Sequence, residues 1–223
     1  MTQINITQEL VTKLLHTVDQ GLVKGVGKPV PGQMCVEAAV CYALGMEHGD
    51  QPNCVDAALR QYKITLNDSI WSSNTARASG MRRLAVLQLG TSTGFNTQYF
   101  VEQLAFKTIT ILLAKYLASK GYTELAENCA KATTLQEAKD AAADAARSAY
   151  FAAANAVYAA YYATNAAYYA TNAAYAANAA AYAANAAEYA GTGDEYLLLS
   201  AKLAEDILIE MGVPAIKYLD LIK

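Results

Sequence analysis

Three residues of the types used in nucleophilic catalysis lie close together in the sequence: Cys35, His48 and Asp50. The dipole of a helix lowers the pKa of a cysteine at its start. A histidine can then act as the base, and a carboxylate can orient that histidine. One hypothesis is therefore a hydrolase that uses Cys35 as its nucleophile. Because buried structural cysteines are common, a packing role for Cys35 is the competing interpretation.

The same segment offers sulfur, nitrogen and oxygen ligands to a metal, from Cys35, His48, Asp50 and Cys54. Zinc accepts all three atom types, but structural zinc sites usually have closely paired ligands, and the chain has no Cys-x-x-Cys pair. We therefore predict no metal and no cofactor. In this interpretation Cys35 and Cys54 pack between helices, and Asp50 caps the helix that follows it.

Basic residues cluster between Arg60 and Arg83 in an otherwise acidic chain. Arginine forks match the geometry of phosphates, and a tryptophan in the same stretch could stack on a ligand or anchor a turn. These features indicate a site for a small anionic or nucleotide-like ligand, while a solvated face on two helices is the competing interpretation. The candidate ligand-binding residues are Arg77, Arg82, Arg83, Trp71, Asp50 and His48.

The segment from Ser148 to Ala187 is forty residues long and contains no charged side chain. It consists mainly of alanine, tyrosine and asparagine, and its tyrosines recur every seven residues. A seven-residue step returns to the same side of a helix, which predicts an aromatic stripe lying dry against another helix. The stripe could pack within the chain, join subunits, or stack on a planar ligand. The candidate interface residues are Tyr161, Tyr168, Tyr175, Tyr182 and Tyr189, and Tyr196 continues the series.

Apolar residues at helical spacing predict helices throughout the chain, joined by turns rich in glycine and proline. After a capping box at Thr134–Glu137, no glycine or proline occurs until Gly191. This predicts one helix of more than fifty residues, unless the chain breaks at the Thr-Asn steps 164–165 or 171–172. The other predicted helix starts and spans are a Thr7 cap, Cys35–Leu44, an Asp50 cap, an Asn74 cap, Asn96–Lys120, Glu124–Lys131, Tyr196–Met211 and Ala215–Ile222.

The composition excludes several classes of function. The net charge of −3 argues against general nucleic-acid binding, which needs a basic surface. The most apolar run, Ile109–Leu117, is too short to span a bilayer, and the N-terminus does not have the form of a signal peptide. We therefore expect a cytoplasmic protein with no membrane partner, and four cysteines that are free thiols.

One block of the sequence resembles an uncharacterised family of bacterial and phage proteins. The resemblance covers about residues 25 to 91, including Gly32–Gly45 and Leu89-Gly90-Thr91, and extends in style to the alanine-rich tail. At His48 this chain departs from the family, in which tryptophan is common. The resemblance implies no activity, although it implies a bacterial or phage setting. The positions that match the family pattern are Cys35, Asp50, Pro52, Cys54, Asn67 and Asp68.

Together these patterns predict an all-α fold with a small helical domain at residues 1–95 and an Ala/Tyr-rich helical bundle or hairpin at 96–223. For function we expect a non-enzymatic binding or assembly protein, either a homo-oligomer or a protein that sequesters a small nucleotide-like ligand. The alternatives are the Cys35 hydrolase and a purely structural, self-assembling helical protein.

Overall fold

A computed structural model describes residues 4–148, 154–172, 175–190 and 194–222. In these ranges all regular structure is helical, and the one β-feature is an isolated antiparallel bridge between Gly27 and Met34. The predicted all-α class is confirmed. The helices are α1 (Gln8–Asp19), α2 (Val36–Leu44), α3 (Ala57–Asp68), α4 (Asn74–Leu87), α5 (Thr97–Lys107), α6 (Ala114–Ser119), α7 (Thr123–Lys131), α8 (Leu135–Ser148), α9 (Ala154–Ala170), α10 (Ala176–Ala190) and α11 (Glu195–Glu210).

The first helices begin where side chains can accept from unpaired backbone N–H groups. Thr7 caps α1 by accepting from Leu10 N, as predicted. Cys35 caps α2 through its Sγ, and Gly45 ends that helix in the left-handed conformation. The prediction for α3 is wrong, because its cap is Asp56 and not Asp50. In α4, Ser73 takes the capping position predicted for Asn74.

The predicted helix Asn96–Lys120 is continuous in space but not uniform in type. Between α5 and α6 lies a π-helical segment, Thr108–Leu113, which widens the turn locally. The capping box before α8 is confirmed: Glu137 N donates to Thr134 Oγ1, and Thr134 N donates to the Glu137 carboxylate, each at 3.2 Å. A 3₁₀ helix, Pro214–Leu221, follows α11.

A single helix of more than fifty residues does not form. Helix α9 ends at Ala170, and the chain turns at Thr171-Asn172, where Asn172 N donates to Tyr169 O. The other Thr-Asn step stays helical, and its Thr164 Oγ1 donates back to Ala160 O at 2.8 Å. The seven-residue tyrosine series is therefore divided among α9, α10 and α11.

Helices α9 and α10 form an antiparallel pair, and alanines are their buried side. Helix α10 packs against α3 as well as α9, and α9 also packs against α8. Alanine favours the helix and allows the backbones to approach closely. The fully buried alanines of this pair include Ala159, Ala160, Ala163, Ala166, Ala167, Ala170, Ala183, Ala184, Ala186 and Ala190.

One large cluster of buried apolar side chains contains residues from both of the predicted domains, for example Leu59 and Tyr62 of α3 and Leu104 of α5. Tyr62 is fully buried, and its hydroxyl lies 2.8 Å from Ser200 Oγ on α11. The division at residue 95 stays a prediction, and contacts of this kind cross it. Within the described ranges, no helix combines the length and the apolar character needed to cross a membrane.

Candidate functional site

The most distinctive surface of the described structure is a row of eight tyrosine rings on α9 and α10, which we call the tyrosine ladder. Two ring pairs stack across the hairpin: Tyr162 with Tyr189 (5.0 Å between centroids, 15° between planes) and Tyr169 with Tyr182 (5.3 Å, 9°). The other rings extend the row through tilted or edge-on contacts. The members of the tyrosine ladder are Tyr158, Tyr161, Tyr162, Tyr168, Tyr169, Tyr175, Tyr182 and Tyr189.

The predicted interface residues fall into two groups. Tyr182 and Tyr189 are half-buried in the hairpin. By contrast, Tyr161, Tyr168 and Tyr175 are 53%, 57% and 48% exposed within one chain. Packing of the stripe within the chain is therefore wrong for these three residues, because the alanines take the packing side of each helix, while contact with another subunit stays a prediction. Tyr158, which the seven-residue series missed, is also exposed at 49%.

The surroundings of the tyrosine ladder contain little charge. Its nearest cation contact is Lys139 of α8, whose Nζ lies 5.1 Å from the centroid of the Tyr168 ring. Burial and the neighbouring Tyr189 phenol raise the pKa of the Tyr162 hydroxyl above its ordinary value, so this hydroxyl stays neutral at physiological pH. The surface can therefore present aromatic faces and hydroxyl groups without electrostatic steering.

The proposed nucleophile Cys35 and the proposed orienting residue Asp50 line the same cavity, whose volume is about 260 Å³. His48 is engaged elsewhere, with its Nε2 3.1 Å from the carbonyl oxygen of Gly27. Burial raises the pKa of the Cys35 thiol to about 11, the opposite of the lowering expected at a helix start. A thiol in this state is protonated at neutral pH and is a poor nucleophile.

The four cysteines are free and buried, as the sequence predicts for their redox state. Among the described residues, no three His, Cys, Asp or Glu side chains come together in a way that could hold a metal ion. The four suggested ligands Cys35, His48, Asp50 and Cys54 therefore do not form a metal centre there.

The side chains of Asn67 and Asp68 form hydrogen bonds to backbone groups that are distant in the sequence. Asn67 is fully buried at the end of α3, where its Oδ1 accepts from Val36 N and its Nδ2 donates to Val23 O. Asp68 Oδ1 accepts from Gly25 N at 2.8 Å. Together these side chains hold the Gly-rich loop before α2 against α3, and they form part of the cavity beside Cys35.

The three candidate phosphate-binding arginines all serve internal contacts. Arg77 is buried, and its guanidinium donates to Asn67 O (2.7 Å), Leu22 O (3.1 Å) and Asn74 Oδ1 (2.8 Å). Arg82 pairs with Asp19 at 2.7 Å, and Arg83 pairs with Glu205 at 2.9 Å. The basic cluster thus ties α4 to its neighbours.

Trp71 is buried and anchors the turn between α3 and α4. Its Nε1 donates to Leu66 O at 2.8 Å, and its ring packs over Gly80 so closely that a Cβ there would collide with it. Of the two roles considered for Trp71, the structure shows the anchoring one.

Sequence reasoning missed a buried ion pair. Glu37 of α2 and Lys63 of α3 are both fully buried, with 2.5 Å between Lys63 Nζ and Glu37 Oε1. Lys63 had been grouped with the basic cluster from Arg60 to Arg83. The available signal was the position of Glu37 inside the apolar run of α2, because an unpaired carboxylate is rarely placed on a buried face.

Comparisons of this chain with protein families, with curated proteins and with solved structures gave no match.

Proposed function

We propose that this protein is a non-enzymatic assembly protein whose subunits bind one another through the tyrosine ladder. The observation that supports this most strongly is a continuous row of aromatic rings, four of them about half exposed, on a hairpin whose described residues contain one charged side chain, Glu188. Contiguous exposed patches of this kind mark interaction sites on soluble proteins. Tyrosine is also enriched at protein interfaces, since its ring is apolar and its hydroxyl can form hydrogen bonds.

The size of the surface fits a dimer contact. Each aromatic side chain can bury ~150–250 Å², so four half-exposed rings offer on the order of 400 Å². A standard interface covers about 800 Å² per partner. The rings would supply about half of that area. Exposed asparagines on the same two helices, Asn155 and Asn178, could supply part of the polar rim.

A second copy of this chain is the partner that the charge pattern favours. The chain has a net charge of −3, so copies repel weakly wherever charged surfaces meet. Among the described residues of the hairpin, Glu188 is the one charged side chain, so two copies can approach there with few like charges brought together. A two-fold contact would also bring the same aromatic row from each subunit together, which is how cyclic dimers form.

The nucleotide-like ligand has less support. Its aromatic partner could be the tyrosine ladder, but the arginines proposed for its phosphate lie on α4 and are paired with Asp19, Glu205 or backbone carbonyls. These arginines would therefore not bind the phosphate of a nucleotide whose base stacks on the tyrosine ladder. We treat ligand stacking as an alternative outcome of the test below.

The test is sedimentation velocity over a range of protein concentrations, on the wild type and on the triple variant Tyr161→Ala/Tyr168→Ala/Tyr175→Ala. These rings are exposed in the single chain, so their removal should leave the fold intact. We expect a wild-type oligomer and a dissociation constant at least about 100-fold weaker in the variant, since central aromatic residues dominate interface energies. The matched control is Tyr42→Ala/Tyr99→Ala, which removes two exposed tyrosines outside the tyrosine ladder.

A wild type that stays monomeric at high concentration contradicts the assembly proposal. The assembly proposal is also contradicted if Tyr42→Ala/Tyr99→Ala weakens association as much as the triple variant does. If the monomer instead binds a nucleotide in calorimetry, and the triple variant does not, the tyrosine ladder serves as a ligand platform.

A further inference from the structure

The pair formed by Glu37 and Lys63 joins the facing sides of α2 and α3. Both side chains have zero exposed area, and Lys63 Nζ lies 2.5 Å from Glu37 Oε1. Neither residue takes part in the contacts described for the tyrosine ladder.

This contact does not have the form of a stable buried ion pair. Apart from their contact with each other, neither carboxylate oxygen of Glu37 nor Nζ of Lys63 has a hydrogen-bond partner among the described residues. A buried ion pair stabilises a fold only when further hydrogen bonds satisfy its remaining atoms, and here they are missing.

The environment favours the uncharged forms of both groups. Burial raises the pKa of Glu37 and lowers the pKa of Lys63, while each partner acts in the opposite direction on the other. The other ionisable groups that act on the pair are the thiols of Cys35 and Cys54, the carboxylate of Asp50 and the guanidinium of Arg60. Only the uncharged amine has a lone pair that can attack, and only the protonated carboxyl is an acyl electrophile, so both shifts are towards the reactive forms.

The geometry points to a covalent cross-link: an intramolecular amide bond between Lys63 Nζ and Glu37 Cδ. In this step the Nζ lone pair attacks Cδ, the Cδ–O bond breaks, and one amine proton leaves with the hydroxyl group as water. The other N–H stays on the new amide. The reaction is a condensation without oxidation or reduction, so it needs no co-reactant.

Three features of the site promote this bond. The reacting atoms are held together by two packed helices, and such positioning replaces a large part of the entropic barrier of a bimolecular reaction. Exclusion of bulk water disfavours hydrolysis of the product. The amide product also has no ionisable group, so it avoids the cost of placing a charge in this buried site.

The test is the intact mass of the denatured wild-type protein after incubation at neutral pH. We expect a mass lower than the sequence mass by one water molecule, and a branched tryptic peptide joining residues 37 and 63, since trypsin does not cleave after an acylated lysine. Lys63→Arg, which keeps the charge but not the nucleophile, should show the full sequence mass. Glu37→Gln should lose ammonia instead of water.

The exposed pair Lys115–Glu195, at 2.8 Å, is an internal control and should give only unbranched peptides. A wild type that keeps its full mass after incubation overturns the proposal, and that result does not depend on whether any variant folds. A lost water that maps to other residues, or one that persists in Lys63→Arg, overturns it as well.

Discussion

Arg77 and Arg82 lie on the same helix, and the structure assigns them different tasks that mutation can separate. Arg77 is buried and donates three hydrogen bonds, two of them to the backbone carbonyls of Asn67 and Leu22. Arg82 is partly exposed and pairs with Asp19. If these arginines formed a ligand site, both variants would fold normally and lose binding. If Arg77 is structural, Arg77→Ala should lose stability.

The magnitude follows from the contacts. A hydrogen bond from a charged donor is worth ~1.5–3 kcal/mol, and bonds in one network are not additive. Removing the guanidinium also leaves two carbonyls without this donor, so we expect a loss of about 3–5 kcal/mol for Arg77→Ala. Arg82→Ala removes a partly exposed ion pair and should cost about 1 kcal/mol.

Urea unfolding followed by circular dichroism measures both values. With a slope of ~2–3 kcal/mol/M, the Arg77→Ala midpoint should fall by roughly 1.5 M, while the Arg82→Ala midpoint should move little. Similar midpoints for the two variants would show that the Arg77 hydrogen bonds do not contribute in this way. A stable Arg77→Ala protein that loses affinity for nucleotides would restore the anion-site hypothesis.

Three further predictions concern buried residues. Gly80→Ala should lower the free energy of unfolding by about 1–2 kcal/mol in the same assay, because the collision of its Cβ with the Trp71 ring outweighs the gain in helix propensity. The control is Gly49→Ala, which has open space around its Cβ. Native protein should react slowly and similarly with iodoacetamide at all four cysteines at neutral pH, and selective fast labelling of Cys35 would support the hydrolase alternative. Burial raises the pKa of Cys35, Cys41 and Cys129 to about 11 in the folded protein. The same thiols ionise at lower pH in the unfolded chain. The free energy of unfolding should therefore decrease as the pH rises from about 9 towards 11.

Local signals predicted the parts of the fold that local chemistry decides. The Thr7 cap, the Gly45 terminus and the capping box before α8 depend on residues within one turn of each other. The α3 cap was not decided locally. Asp50 and Asp56 are equally suitable capping residues, and Asp56 serves because Thr91 and Thr97, distant in sequence, bond to it.

The two Thr-Asn steps also show that local sequence alone does not decide where a helix ends. The dipeptides at 164–165 and 171–172 are identical, and their flanking residues are nearly so. One stays inside α9, and the other ends it. A tertiary contact distinguishes them: the Gln98 side chain of α5 donates to Ala170 O and satisfies a carbonyl at the helix end. Gln98 lies far from this segment in the sequence, so the segment alone could not predict the contact.

The tyrosine series contains five of the eight residues of the tyrosine ladder, and it did not predict which side of each helix is buried. A seven-residue step keeps both the alanines and the tyrosines on constant sides of a helix, so periodicity cannot say which side is buried. Close helix packing selects the smaller side chain, and the rings are then left at the outer edge of the hairpin. There the stacked rings of Tyr162, Tyr169, Tyr182 and Tyr189 join α9 to α10. The more exposed Tyr161 and Tyr168 each lie edge-on against a neighbouring ring. Alanine would serve helix formation better at these outer positions, so their aromatic character is best explained by a contact outside the single chain.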